Sequence, residues 1–170
     1  HENEIAQSQC ASGEPFVNYW LHNEHLLVDN QKMSKSLGNF YTLRDLLEMN
    51  LNPRAIRYTL LATHYRKKLN FSIDKVKSSQ KSINKLEELI RRLNNIIDGE
   101  QNNSNQEDFY TVKDEFGECL GDDLNIASAL GCLFSWVGEM FAKLDKNKIS
   151  TSEAYKALNS LSEIDKILGL

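Results

Sequence analysis

No apolar run in this sequence approaches the roughly 20 residues that a membrane-spanning helix needs. Nothing at its start reads as a secretory signal, so the chain is expected to make no membrane contact and to work in the cytoplasm. Cysteine is scarce and unpaired in pattern. Cys10, Cys119 and Cys132 are widely spaced, odd in number and without a Cys-x-x-Cys pair, which excludes a disulfide framework. They read as small apolar residues of a reducing compartment. Positive charge is not in excess either. The formal net charge is -4, so no global basic field draws the chain to nucleic acid, and an RNA partner would need a local basic face. Internal repeats are absent.

What remains is globular in composition, with 41% hydrophobic and 26% charged residues in 170, enough for one or two small domains with cores. The chain begins with His1 rather than Met, and His1 to about Ser12 read as a helix without a start signal that stops at Gly13. The expectation is a piece of a longer protein with sequence missing before His1. The run Phe16-Val17-Asn18-Tyr19-Trp20-Leu21 is aromatic and β-branched and predicts a buried strand, with Trp20 in the core. Leu26-Leu27-Val28, Asp29-Asn30 and Gln31-Lys32-Met33 predict a hairpin, because Asp and Asn tolerate left-handed turns.

Thr42-Leu43-Arg44-Asp45 predicts a capped helix through Glu48, and Asn52-Pro53 a helix running to about His64. From Ser72 the texture changes. Ile73, Val76, Ile83, Leu86, Ile90, Leu93 and Ile97 keep a three-and-four spacing for about seven turns. A polar, asparagine-rich loop from Glu100 to Gln106 follows and is expected to be mobile. Phe109, Val112, Phe116 and Leu120 mark another helix. A further one, with Trp136 in its core, follows Asn125, and a last one carries Ala154 to Leu168. Long amphipathic helices on short connections imply an antiparallel bundle.

Between the hairpin and the first capped helix lies Lys32-Met33-Ser34-Lys35-Ser36-Leu37-Gly38-Asn39-Phe40. Two ammonium groups three residues apart, with hydroxyls and backbone N–H groups beside them, suit a polyphosphate. Gly38 allows a sharp turn or a close approach to a ligand. The five residues Lys32 to Ser36 resemble the mobile ATP-binding loop of one large class of aminoacyl-tRNA synthetases.

Several stretches in order resemble one family of that class. Glu2 to Ser8, Phe16 to Trp20, Lys32 to Phe40, Arg44-Asp45, His64-Tyr65-Arg66 and Asp122-Asp123-Leu124-Asn125 are similar to cysteinyl-tRNA synthetase. The resemblance is strongest over residues 1–72. It implies a mixed fold: the C-terminal edge of a Rossmann-type α/β catalytic domain (residues 1–23), a loop and stem-contact region (24–72), and a mostly antiparallel α-helical bundle that binds tRNA (73–170).

The activity implied is activation of cysteine with ATP and magnesium to cysteinyl-adenylate and pyrophosphate, then transfer to tRNA(Cys), by a monomeric parent protein. Lys35 would neutralise charge on the departing phosphates, supported by Lys32, with Ser34 and Ser36 bonding phosphate or fixing the loop. The family also binds a zinc ion that holds the substrate thiolate and so discriminates against serine. Glu4 matches its glutamate ligand. The matching histidine would precede His1, and Cys10 is misplaced for a ligand cysteine. The family's His-x-Gly-His is absent, and an anticodon-binding module would follow Leu170, so this stretch alone is expected to be inactive.

Arg54, Arg57, Arg66, Lys67 and Lys68 read equally as contacts to the tRNA inner stem and as solvated helix ends. Lys75, Lys77, Lys81, Lys85, Arg91 and Arg92 read as a solvent face. The alternatives to the tRNA enzyme are a cysteine ligase with an amino-sugar acceptor, of the mycothiol type, and a non-catalytic RNA-binding homologue. The methionine enzyme would leave Glu2 to Ser8 and Phe16 to Trp20 unexplained.

Overall fold

The computed structural model describes residues 1–99 and 112–170. The asparagine-rich stretch from Glu100, and Phe109, lie outside the described residues.

Helix α1 (Glu2–Ser12) ends as its sequence predicts. Gly13 takes the left-handed conformation, φ 74°, and its N–H donates to the Gln9 carbonyl. No residue of α1 is buried. The run from Phe16 to Leu21 departs from expectation: it forms no strand, and Trp20 is no core residue. Tyr19 is 92% exposed and Trp20 43%. Trp20 instead stacks on the His1 imidazole at 4.6 Å and meets Phe16 edge-on at 5.9 Å. A strand needs a neighbour for its N–H and C=O groups, and among the described residues none pairs with this run.

The hairpin forms as predicted, from β1 (Leu26–Val28) and β2 (Gln31–Lys32), with Val28 opposite Gln31. Asp29 and Asn30 both have positive φ, 49° and 65°, as tight hairpin turns demand. A third strand, β3 (Leu69–Phe71), lies parallel to β1, giving the sheet order β2-β1-β3. Its three residues are too few to show a period. The Asn30 N–H donates to Asn70 Oδ1, and Asn70 Nδ2 donates back to Asn30 Oδ1, both at 2.8 Å. The hairpin turn is thus tied to a strand 40 residues later.

Two short helices make the crossover. In α2 (Leu43–Glu48), Thr42 and Asp45 form a reciprocal capping box: the Asp45 N–H donates to Thr42 Oγ1 at 3.2 Å, and the Thr42 N–H to Asp45 Oδ2 at 2.7 Å. Those bonds to Thr42 hold the Asp45 carboxyl below its ordinary pKa. Asn52 caps α3 (Pro53–Leu61). This helix stops short of His64, and the chain then turns back to lay β3 beside β1.

Four longer helices follow: α4 (Ile73–Asp98), α5 (Lys113–Gly121), α6 (Ile126–Asp145) and α7 (Thr151–Leu168). Ser72, Asn125 and Ser150 cap α4, α6 and α7 by accepting backbone N–H bonds. α5 packs on α6 and α7, and α4 on α6 and α7.

Two hydrophobic cores result. One holds Leu46, Ala55, Ile56, Phe71, Val76 and Ile83 beneath the sheet. The larger gathers Leu89, Leu93, Phe116, Leu133, Trp136 and Met140 with their neighbours on α7. Helix α4 serves both, its N-terminal half in the first and its C-terminal half in the second. The change of texture at residue 72 therefore marks the start of a helix, and the cores part between Ile83 and Leu89. A buried polar contact rivets α3 to α4: the Thr59 hydroxyl donates to the Ala55 carbonyl at 2.7 Å and lies 2.8 Å from the Ser79 hydroxyl. Among the described residues no helix is long and apolar enough to cross a membrane.

Candidate functional site

The lysine–serine loop leaves β2 in extended backbone at Ser34, makes one 3-10 turn over Lys35–Leu37, and exits through Gly38 at φ 67°. A side chain at that φ would be strained, and the Gly38 N–H donates to the Lys35 carbonyl at 3.2 Å. The turn throws Lys35 and Ser36 outward, and both are exposed, as is Lys32. Ser34 Oγ and Ser36 Oγ sit 2.8 Å apart. Lys35 Nζ lies 5.3 Å from the centroid of the Phe40 ring, a weak cation–π contact at an exposed site. Among the described residues no carboxylate pairs with Lys32 or Lys35. The loop thus sets Ser34 beside Ser36 and leaves Lys32 and Lys35 exposed.

Asn39 shapes that presentation and carries no role in the sequence reading. Its Oδ1 accepts from the Ser34 N–H at 2.8 Å, and its Nδ2 donates to the Lys32 carbonyl at 3.2 Å and, more loosely, to Val28 at 3.5 Å. One half-buried amide therefore closes the loop onto the hairpin. Asn39→Ala is expected to cost about 1–3 kcal/mol, from hydrogen bonds worth about 0.5–1.5 kcal/mol each. Asn39→Asp should do no better, because a carboxylate cannot donate to the two carbonyls. Denaturant unfolding of both variants checks this, and a fully stable Asn39→Asp would show that the donated bonds carry no weight.

A second junction was invisible along the chain. His64-Tyr65-Arg66 and Asp122-Asp123-Leu124-Asn125 lie almost 60 residues apart and meet in space. The Tyr65 hydroxyl donates to Asp123 Oδ1 at 2.6 Å. Arg66 clasps both carboxylate oxygens, Nε to Oδ2 at 2.6 Å and Nη2 to Oδ1 at 3.1 Å, and His64 Nε2 stands 3.8 Å from Oδ2. Asp123 and Leu124 both have positive φ, 53° and 54°, a strained choice for residues with a Cβ. The α5–α6 turn pays that cost to aim the carboxylate at α3's outgoing chain.

The Arg66 guanidinium, then the Tyr65 hydroxyl, pull the Asp123 carboxyl down from 3.8 to about 2. A depressed carboxylate stabilises the fold above its ordinary value, and that contribution fades as pH falls from 3.8 through about 2. The melting temperature is therefore expected to drop by a few degrees over that interval. Asp123→Asn should lack this component of the drop. An unchanged acid profile in the variant would mean that solvent screens the junction completely.

The basic cluster divides. Arg66 is committed to Asp123, Arg57 Nε donates to the Leu168 carbonyl at 2.6 Å, and Arg54 pairs with Glu87. Arg54 and Arg57 tie α3 to α4 and to the end of α7, and Arg66 ties the chain after α3 to the α5–α6 turn. Lys67 and Lys68 stay exposed. On α4, Lys77 pairs with Asp74 and Arg91 with Glu88 on the exposed face, whereas Arg92 departs from the solvent-face reading: it is half-buried, pairs with Asp145 of α6 and lies over the Phe141 ring.

Glu4 is exposed on α1, 3.6 Å from the His1 amino group. Among the described residues no group of three or more His, Cys, Asp or Glu side chains is arranged to hold a metal ion. A zinc site takes about four donors, so the described residues do not by themselves fit zinc.

Comparison with known proteins places these features. The family model described as the tRNA synthetases class I (C) catalytic domain matches residues 1–82, and the DALR domain matches residues 115–170. Cysteine–tRNA ligase of Brachyspira hyodysenteriae is 49% identical over 157 residues, 91% of this chain and 33% of that protein. The enzymes of Protochlamydia amoebophila and Leptospira interrogans are 47% and 46% identical across the whole chain, which covers 36% and 37% of their lengths. The chain spans about a third of the length of these curated relatives. With the lysine–serine loop, the His64-Tyr65-Arg66 junction and this similarity along its full length, the chain belongs to the cysteine–tRNA ligase family.

Proposed function

We propose that the protein to which this chain belongs activates cysteine with ATP and magnesium, releasing pyrophosphate, and transfers the cysteine from its adenylate to tRNA(Cys). The observation that carries this reading is the loop from Lys32 to Phe40. Among the described residues its two ammonium groups have no carboxylate partner, in a chain similar along its length to cysteine–tRNA ligases.

Lys35 is the residue that meets the ATP phosphates. Pyrophosphate departure concentrates negative charge, and a fixed ammonium near that charge stabilises the transition state more than bound ATP. Lys32 assists, and Ser34 and Ser36 offer hydroxyls to the same phosphates. The 3-10 turn, held at its start by the Ser34–Asn39 bond and left through Gly38, is the element that closes over the nucleotide.

In this reading residues 1–23 finish a Rossmann-type catalytic domain, residues 24–72 carry the loop and the stem contact, and the helices from 73 form an antiparallel bundle against the tRNA. Lys67 and Lys68, exposed beside the Asp123 junction, are the basic residues left to meet RNA phosphates. Glu4 is proposed as one zinc ligand, with the other donors outside the described residues. The parent is proposed to act as a cytoplasmic monomer.

The test is amino-acid-dependent ATP–pyrophosphate exchange by the full-length protein, with cysteine, serine and methionine compared side by side. Exchange with cysteine alone supports the reading. Exchange with none of them, from folded protein, overturns it. The curated relatives bear the name of the tRNA enzyme, which favours tRNA over an amino-sugar acceptor, and charging of tRNA(Cys) tests that choice.

A further inference from the structure

The sequence separates Cys119 from Cys132 and suggests no relation between them. The fold brings them together. Cys119 sits in the last turn of α5 and Cys132 in the second turn of α6, 13 residues apart, and their sulfurs lie 3.6 Å from one another. Both are free thiols of intermediate burial. A disulfide needs the sulfurs at ~2.0 Å, so the pair must close by a little over 1.5 Å from its 3.6 Å separation. The Glu115 carboxylate also reaches Cys132, but among the described residues no group of three His, Cys, Asp or Glu side chains is arranged to hold a metal ion.

We infer that Cys119 and Cys132 form a reversible dithiol site that closes to a disulfide when a hydroperoxide reaches it. The chemistry runs in two steps. Partial burial, then the hydrogen bonds to Cys119 and Glu115, push the Cys132 thiol up to about 11, which disfavours Cys132 as the thiolate that opens the reaction. The proposal gives the first attack to Cys119. Its thiolate takes the distal oxygen of the peroxide, the O–O bond breaks, and with hydrogen peroxide the leaving hydroxide takes up a proton as water. Cys119 is now a sulfenic acid. The Cys132 sulfur then attacks the Cys119 sulfur, loses its proton, and the sulfenic oxygen departs as a second water. Two thiols and one hydrogen peroxide give one disulfide and two waters.

The bridge would close a ring that contains the turn from Asp122 to Asn125, and with it the Asp123 carboxylate that Tyr65 and Arg66 grip. Oxidation would therefore stiffen the α5–α6 hairpin at the point where it meets the loop-bearing part. Nothing in this inference depends on the proposed activity.

The test is treatment of the full-length protein with hydrogen peroxide, followed by thiol counting and peptide mapping before and after a dithiol reductant. The expected product joins the peptides bearing Cys119 and Cys132, loses the mass of two hydrogen atoms, and reverts on reduction. Amide hydrogen exchange across residues 119–132 should slow in the oxidised form. Cys119→Ser should leave Cys132 as a free thiol after the same treatment, whereas Cys10→Ser should cross-link as the wild type does. Sulfinic acid at Cys119 without a Cys119–Cys132 peptide, or a disulfide that runs through Cys10 instead, would overturn the inference.

Discussion

In the full-length protein, Lys35→Ala is expected to lower the rate of cysteine-dependent ATP–pyrophosphate exchange by about 10²–10³-fold, the usual cost of deleting one group aimed at developing negative charge. The fold should be untouched. Lys35 is exposed, pairs with no carboxylate among the described residues, and contacts only the Phe40 ring at 5.3 Å. Its removal leaves no cavity and no orphaned partner, so far-UV circular dichroism and the melting temperature should stay as in the wild type. That combination separates a catalytic role from a structural one. Lys35→Arg tests geometry rather than charge. A guanidinium is a planar fork where an ammonium is a compact point charge, so partial recovery would indicate that charge outweighs shape. If Lys35→Ala exchanges at the wild-type rate, the ammonium has no part in pyrophosphate departure.

Phe116→Ala carries the largest expected effect on stability, a loss of about 3–5 kcal/mol, the range for deleting a buried aromatic ring. Phe116 is fully buried on α5, a helix of only nine residues, among Leu133, Trp136 and Leu161 of the larger core. A helix that short has little stability of its own and depends on its packed face. Total stability for such a domain is about 5–15 kcal/mol, so the variant should unfold at a much lower denaturant concentration. The damage should also spread to function through one route. α5 leads directly into the turn that holds Asp123, so the variant should weaken tRNA charging before it weakens exchange. A loss below about 1 kcal/mol would mean that the neighbouring side chains collapse into the space.

Most of the elements were legible along the chain, for local reasons. Gly13, the Thr42–Asp45 box, Asn52-Pro53, Ser72 and Asn125 are capping signals that act within four residues, and each stands where a helix begins or ends. The long amphipathic period of α4 likewise needs no distant partner to be read. Asp29-Asn30 announced the hairpin because the turn's backbone demand is met by those two residues alone. The loop was legible for a different reason: its chemistry is contiguous, with every group that would face a phosphate within five residues.

Failures came where a local pattern depends on something far away. Phe16 to Leu21 has strand-forming residues, but a strand exists only by pairing, and among the described residues no strand pairs with this run. The three residues of β3 carried too little pattern, and their pairing with β1 was decided in space. For Arg54, Arg57 and Arg66 the sequence left tRNA contact and solvated helix ends equally open, because the carboxylates and carbonyl they meet come from α4, the α5–α6 turn and the end of α7.

By itself, then, the sequence determined most of the capped helix starts, the hairpin turn and the lysine–serine loop, because capping, turn geometry and charge spacing are short-range. Only the tertiary structure decided that Asp123 grips Tyr65 and Arg66, that Asn39 holds the loop to its hairpin, that α4 serves two cores, and that Cys119 faces Cys132. Each of those rests on contacts whose partners are set by how helices pack, and packing distance has no counterpart in the order of residues.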